Sequence, residues 1–205
     1  TAHRWWGTTK PLPVPGFYFN KNQGTQNLHA YEPDLDHPYF GTLPRRSHNL
    51  RLTWQANEEH KVSFLHDLQR HCTCPQNYAG QTATPEAMGN HRYTPHHLTQ
   101  VSWTNPATNR LLFEGGASYY VMGIKYDEQA GVSRDDIAVR DLTTGYTLNS
   151  RAITVRAGDA YGKVLDQVLS TKAGVSYVTC THNFKTGIMW TFNKAEEDSR
   201  IHGDV

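Results

Sequence analysis

The chain has no apolar run near the roughly 18 residues that a membrane-crossing helix needs, which excludes a helical membrane protein. It has only three cysteines, an odd number that argues against a disulfide framework. It has almost no net charge, +1 with histidine neutral, so neither a nucleic-acid partner nor an acidic tail is indicated. Gly-rich phosphate loops, Gly-x-Ser-x-Gly elbows and His-Glu-x-x-His signatures are all missing. No catalytic residue and no cofactor is therefore assigned, and the chain is not read as an enzyme. Neither an initiator Met nor a signal peptide precedes Thr1, and the opening HRWWG already reads as the end of a strand, so a fragment cut at both ends is expected. The low mean hydropathy leaves one membrane architecture open, because in a β-barrel only alternate residues face lipid.

What the chain does have is alternation, clearest from Leu98 to Met122, where two arms flank the polar turn Asn105 to Asn109. Thr99, Val101 and Trp103 share one face of the first arm and Gln100, Ser102 and Thr104 the other. In the second arm Leu111, Phe113, Gly115, Ala117, Tyr119 and Val121 oppose Leu112, Glu114, Gly116, Ser118 and Tyr120. That arm runs about a dozen residues. At roughly 3.3 Å each this is close to a tilted path across a bilayer and longer than the usual globular strand.

Two further hairpins follow from the same periodicity. Leu50, Leu52, Trp54 and Ala56 alternate with Arg51, Thr53 and Gln55, turn at 57–60, and return through Val62, Phe64, His66 and Leu68. Val175 and Tyr177 face away from Ser176 and Val178, turn at 181–183, and return through Phe184, Ile188, Trp190 and Phe192. The predicted hairpins thus span about 49–71, 96–122 and 173–193. Long loops are expected at about 7–48, 72–95 and 123–172, with a short strand at Phe17–Phe19 and short ribbons within 131–145. Val164–Ser170 has a helix-like spacing too short to trust, and the charged segment after Asn193 is assigned to another loop. Short turns alternating with long connections are the asymmetry of outer-membrane barrels. The fold class is therefore all-β, an antiparallel meander of long hairpins forming a partial, unclosed transmembrane β-barrel with long extracellular loops. Trp54, Phe64, Trp103, Phe113, Tyr177 and Trp190 are the expected membrane-facing aromatics.

At these residues the chain resembles a known family. N-L-R-L-T-W-Q-A at 49–56, Thr104-Asn105-Pro106 with Thr108-Asn109-Arg110-Leu111-Leu112, and S-Y-V-T-C-T-H-N-F-K-T-G at 176–187 are similar to the barrel of TonB-dependent receptors, most of all the Oar-like branch, whose full proteins carry a carboxypeptidase-regulatory-like N-terminal domain. The likeness runs from about Asn49 to Phe192 and is one of strand and turn texture. It implies residence in the cell outer membrane, a barrel of about 22 strands around a plug, outer-membrane lipid as a partner, and a periplasmic energy-coupling protein reached through a missing N-terminal region. This chain would supply barrel wall and external loops to a receptor that takes up an unknown ligand, a carbohydrate or a peptide.

Other constellations are weaker. His71, Cys72 and Cys74 are weak candidates for a soft-metal site that His91, His96 or His97 would complete, although Cys-x-Cys is the wrong spacing for a zinc knuckle and a disulfide is an alternative. Cys180, at the short-turn end of its strand, is not expected to reach them. Asp67 and Glu114 read as polar wall residues, and Asp135-Asp136 and Glu196-Glu197-Asp198 lack the spacing of a calcium loop. The twelve histidines look scattered through loops and turns as solvated residues. The competing function is a soluble all-β carbohydrate-binding module, with Tyr18, Phe19, Tyr119 and Tyr120 stacking on sugars. That module would bury Leu52, Trp54, Phe64, Val101, Trp103, Phe113, Ile188 and Trp190 in a two-layer core, whereas a barrel wall leaves them uncovered.

Overall fold

The computed structural model describes residues 1–7, 12–27, 29–75, 83–151 and 160–204. The protein is all-β, and its strands pair antiparallel. In chain order the strands are β1 (Ala2–Gly7), β2 (Leu12–Asn20), β3 (Pro33–Gly41), β4 (Arg45–Gln55), β5 (Lys61–Thr73), β6 (Asn90–Thr108), β7 (Leu111–Asp127), β8 (Val139–Arg140), β9 (Thr147–Leu148), β10 (Tyr161–Val178) and β11 (Asn183–Arg200). Seven of them form one sheet in the order β1-β4-β5-β6-β7-β10-β11, and β2-β3 and β8-β9 make two separate ribbons. The large sheet does not close, since β1 and β11 are its two edges.

Period-two patterning fixes the register, because a slip of one residue would move every apolar side chain to the opposite face. Leu52 lies opposite Phe64, Phe64 opposite Val101, Val101 opposite Ala117, Ala117 opposite Thr171 and Thr171 opposite Trp190. One end of the sheet is closed by short turns. At the first, Ala56 N donates to His60 O at 2.9 Å, and the Asn57 Oδ1 accepts from the amides of Glu59 and His60. At the third, Thr179 N donates to His182 O at 2.7 Å while the Thr179 hydroxyl accepts from His182 N.

Several expected boundaries move. The middle turn is not 105–109: β6 runs through Asn105 and Pro106 to Thr108, and the chain reverses at Asn109-Arg110 after a register shift between Pro106 and Thr108. A shift of that kind is where a strand accepts proline, and Asn105 is held by Nδ2 contacts to the His60 ring. The third turn falls at 179–182 rather than 181–183. Strands also reach well beyond the expected hairpins at the long-connection end: β6 begins at Asn90, β7 ends at Asp127, β10 begins at Tyr161 and β11 ends at Arg200. Val164–Ser170 is therefore strand and not helix, and residues 194–200 are strand and not loop. The stretch 7–48 holds β1's end, β2, β3 and the start of β4 instead of an irregular loop, and Phe17–Phe19 lies in β2 as expected. The expected ribbon inside 131–145 starts there but pairs outside it, Val139 with Leu148 and Arg140 with Thr147.

Apart from Val121 at the cap end of the band, the buried apolar core lies outside the apolar stripes of the sheet. Tyr39, Ala83, Ala87, Met88, Leu148, Ala160 and Tyr161 are buried where the long connections gather at one end of the strands. Gly162 marks the entry to β10 with φ +133, and a Cβ there would collide with the backbone O of Asp198.

Candidate membrane-facing surface and outer cap

The register collects the apolar side chains into a band on one face. From the short-turn end inward its rows are Tyr177-Phe184, Phe113-Val175, Trp54-Val62-Trp103-Gly115-Ala173-Ile188, the Leu52 to Trp190 row, and Leu50-His66-Thr99-Tyr119-Leu169-Phe192. All six aromatics expected to face the membrane, Trp54, Phe64, Trp103, Phe113, Tyr177 and Trp190, fall on this face. So do the eight residues that separate an uncovered wall from a two-layer core. None of the eight is buried: Trp54 is 66% exposed, Ile188 73% and Phe113 38%, while Phe64 and Trp103 are half-buried among their neighbours. Along β7 the band runs from Leu111 to Val121, about 34 Å of strand, which a tilt near 40° reduces to about 26 Å.

The opposite face is polar. Arg51, Thr53, Gln55, Lys61, Ser63, Gln100, Ser102, Glu114, Ser118, Ser170, Lys172, Lys185 and Thr191 occupy it, interrupted by Leu65, Leu112, Val178, Met189 and the row Leu98-Tyr120-Val168. Two of its carboxylates are held across strands: Lys185 Nζ donates to Glu114 at 2.7 Å, and Asn49 Nδ2 to Asp67 Oδ2 at 3.0 Å. Asp67 and Glu114 are thus polar-face residues of the sheet with cross-strand partners, far apart from each other. Tyr119 and Tyr120 lie on opposite faces, and Tyr18 and Phe19 belong to the β2-β3 ribbon, so the four aromatics proposed for sugar stacking do not form one platform.

At the long-connection end the strands carry a cap with a polar interior. Pro85–Ala87 makes one 3₁₀ turn, and Glu86, only 2% exposed, accepts the amide of Asn20 from β2. Burial raises the Glu86 carboxyl above its ordinary range, offset in part by that amide. Gln23 Nε2 donates to Asn149 O at 3.2 Å and Tyr31 packs on Tyr146, which joins the β2-β3 ribbon to the segment after β8. Burial pushes the Tyr146 hydroxyl up to about 12. Arg151 approaches His91 Nε2 at 2.6 Å, lies over the Tyr126 ring, and its amide donates to the Tyr161 hydroxyl. His202 stacks on Tyr161 and reaches Glu128 at 3.4 Å. None of these cap residues was singled out from sequence except His91. The signal within reach was Thr84-Pro85-Glu86, a helix-start pattern of Thr followed by Pro at the first position.

The weak metal candidates are separated by their bonding. Cys72 and Cys74 are joined as a disulfide, and bonded sulfurs offer no thiolate to a metal. His71 stacks on Tyr93 at 3.8 Å. His91 is taken up by Arg151, and among the described residues no group of three His, Cys, Asp or Glu is arranged around a metal-sized space. Cys180 is free and exposed at the opposite, short-turn end, away from Cys72 and Cys74 as expected. The histidines differ from expectation: eight of twelve, His3, His37, His48, His66, His71, His91, His96 and His97, sit in strands. His66 Nδ1 meets the Thr99 hydroxyl at 2.9 Å at the edge of the apolar band, and His96 Nε2 meets the Tyr120 hydroxyl at 3.2 Å on the opposite face, so both rings serve cross-strand bonds. No helix of the described residues is long and apolar enough to cross a membrane, which says nothing about a β-barrel. No protein-family model, curated protein or solved structure matches the chain.

Proposed function

We propose that the chain is a wall segment, with its outer cap, of a transport barrel of the TonB-dependent-receptor type in the cell outer membrane. The carrying observation is the apolar band: five rows deep, uncovered by any second layer among the described residues, and backed by a polar face. Left in water, such a face would cost about 25 cal/mol for every Å² of apolar surface, and hydrocarbon removes that cost without a shaped partner. A closed barrel also needs no second sheet, since its polar face lines the interior. The short turns then point to the periplasm and the cap outward, where an uptake ligand, carbohydrate or peptide, arrives. Energy coupling would come from a periplasmic partner acting outside this segment.

The test is alternation read in lipid. In a Cys180→Ser background, a polarity-sensitive dye on Val101→Cys is expected to report hydrocarbon and the same dye on Ser102→Cys to report water, in full-length protein reconstituted into vesicles. Equal polarity at the two positions would refute the membrane assignment. The same result would remove the transport function that rests on it.

A further inference from the structure

Above the apolar band, on the same face, the register sets like charges side by side. Arg46 of β4 is directly opposite Arg70 of β5. Arg92 of β6 is opposite Lys125 of β7, and Lys125 is opposite Lys163 of β10. All five are exposed, and Arg46, Arg70 and Arg92 line one shallow depression with Cys72 and Thr94. Like charges directly opposite destabilise a sheet pair, and the local carboxylates offset only part of this row. Asp127 pairs with Arg92 at 3.0 Å, Glu196 pairs with Lys194, and Asp198 lies opposite Lys163. Among the described residues Arg46, Arg70 and Lys125 stand in no ion pair. The arrangement is confined to one end. On this face no Lys or Arg follows Trp54, Val62, Asn105, Leu111, Tyr177 or Phe184 towards the short turns.

We infer that this cationic row binds the anionic, phosphate-bearing headgroups of lipids in the leaflet at the cap end of the protein. The inference rests on the membrane-wall reading, which puts the row beside lipid. Position supports it. Arg46 and Arg70 lie two residues beyond the last mixed row, which contains His48 and Leu68, and Lys125 lies four beyond Val121. Along the strands these are about 7 and about 13 Å, and a tilt near 40° brings both into the headgroup layer. Arginine forks match phosphate oxygens in pairs, and a phosphate between Arg46 and Arg70 turns a repulsion into two charge-assisted bonds. The flanking aromatics fit the same depth: Trp6, 67% exposed with Arg4 over its ring, lies opposite Arg46.

The experiment compares quenching of tryptophan fluorescence by brominated phosphatidylglycerol and by brominated phosphatidylcholine, each at the same fraction in phosphatidylcholine vesicles holding the full-length protein. The anionic lipid is expected to quench more strongly, and its relative binding constant to fall about fivefold for each cation removed in Arg46→Gln, Arg70→Gln and Lys125→Gln. Arg110→Gln, at an opposite turn, leaves it unchanged, and Arg70→Lys keeps most of it. Should a variant fail to insert, salt decides with the parent protein: the excess is to vanish between about 0.05 and about 0.5 M. Equal quenching by the two lipids, or an excess indifferent to both salt and the substitutions, would overturn the headgroup site. Absence of quenching by brominated phosphatidylcholine would instead overturn the membrane-wall reading itself.

Discussion

Neighbouring side chains on one strand separate the energetic roles of the two faces. Phe113 stands on the uncovered apolar face and Glu114 behind it, paired with Lys185. In lipid, Phe113→Arg is expected to cost about 2 to 4 kcal/mol near the midplane. Glu114→Arg should cost no more than about 1 kcal/mol, the scale of one exposed ion pair. Phe113→Leu should be nearly neutral, because lipid fills around either side chain. Urea unfolding from vesicles measures all three, and a loss of more than a kcal/mol for Phe113→Leu would signal a packed core. Glu86 gives the opposite kind of test. Its folded-state pKa is raised, so the cap favours the protonated form. The stabilisation is therefore complete below the ordinary carboxylate value near 4.3 and is lost as pH rises through the raised value. Melting of the cap, followed by near-ultraviolet circular dichroism of its tyrosines, should shift to lower temperature across that window, and Glu86→Gln should abolish the dependence.

At the scale of elements, strands with one wet and one apolar side were legible and strands wet on both sides were not. Leu50, Leu52 and Trp54 alternate with Arg51 and Thr53 because their two faces meet different surroundings. Lys194 to Arg200 pairs just as regularly with Tyr161 to Gln167, yet nothing apolar marks either side of it. Asn90 and His91 are buried inside the cap as polar side chains, so they too leave no apolar alternation, and the cap was hidden for a further reason. Asn20 reaches Glu86, Gln23 reaches Asn149 and Arg151 reaches His91 only in three dimensions, across segments far apart in the chain. The pairing beyond the band can be probed at Gly162, where a side chain would collide with Asp198 O. Gly162→Ala is expected to destabilise by about 1 to 3 kcal/mol and to speed amide exchange at Ser199 and Arg200. Gly24→Ala, also at positive φ but in open space, should cost about 1 kcal/mol and leave that exchange alone.

For the whole molecule, a sheet that among the described residues has no cover over its apolar band and two unpaired edges has two routes to association in water. Sedimentation should find the chain aggregated in buffer and monodisperse in detergent, and a stable monomer in buffer without amphiphile would contradict the wall reading. The unequal connections also set an order in time. A two-residue reversal at Asn109-Arg110 or a four-residue one at 179–182 lets its strands meet within about 1 to 10 μs, as isolated hairpins do. Closing residues 128–160 to join β7 to β10 costs about 2 kcal/mol more in chain entropy than closing 179–182. Hairpins β4-β5, β6-β7 and β10-β11 thus exist as units before they zip to one another. The cap, whose parts come from every long connection, is the last thing to assemble, and it acts as the clasp that holds the finished order of strands.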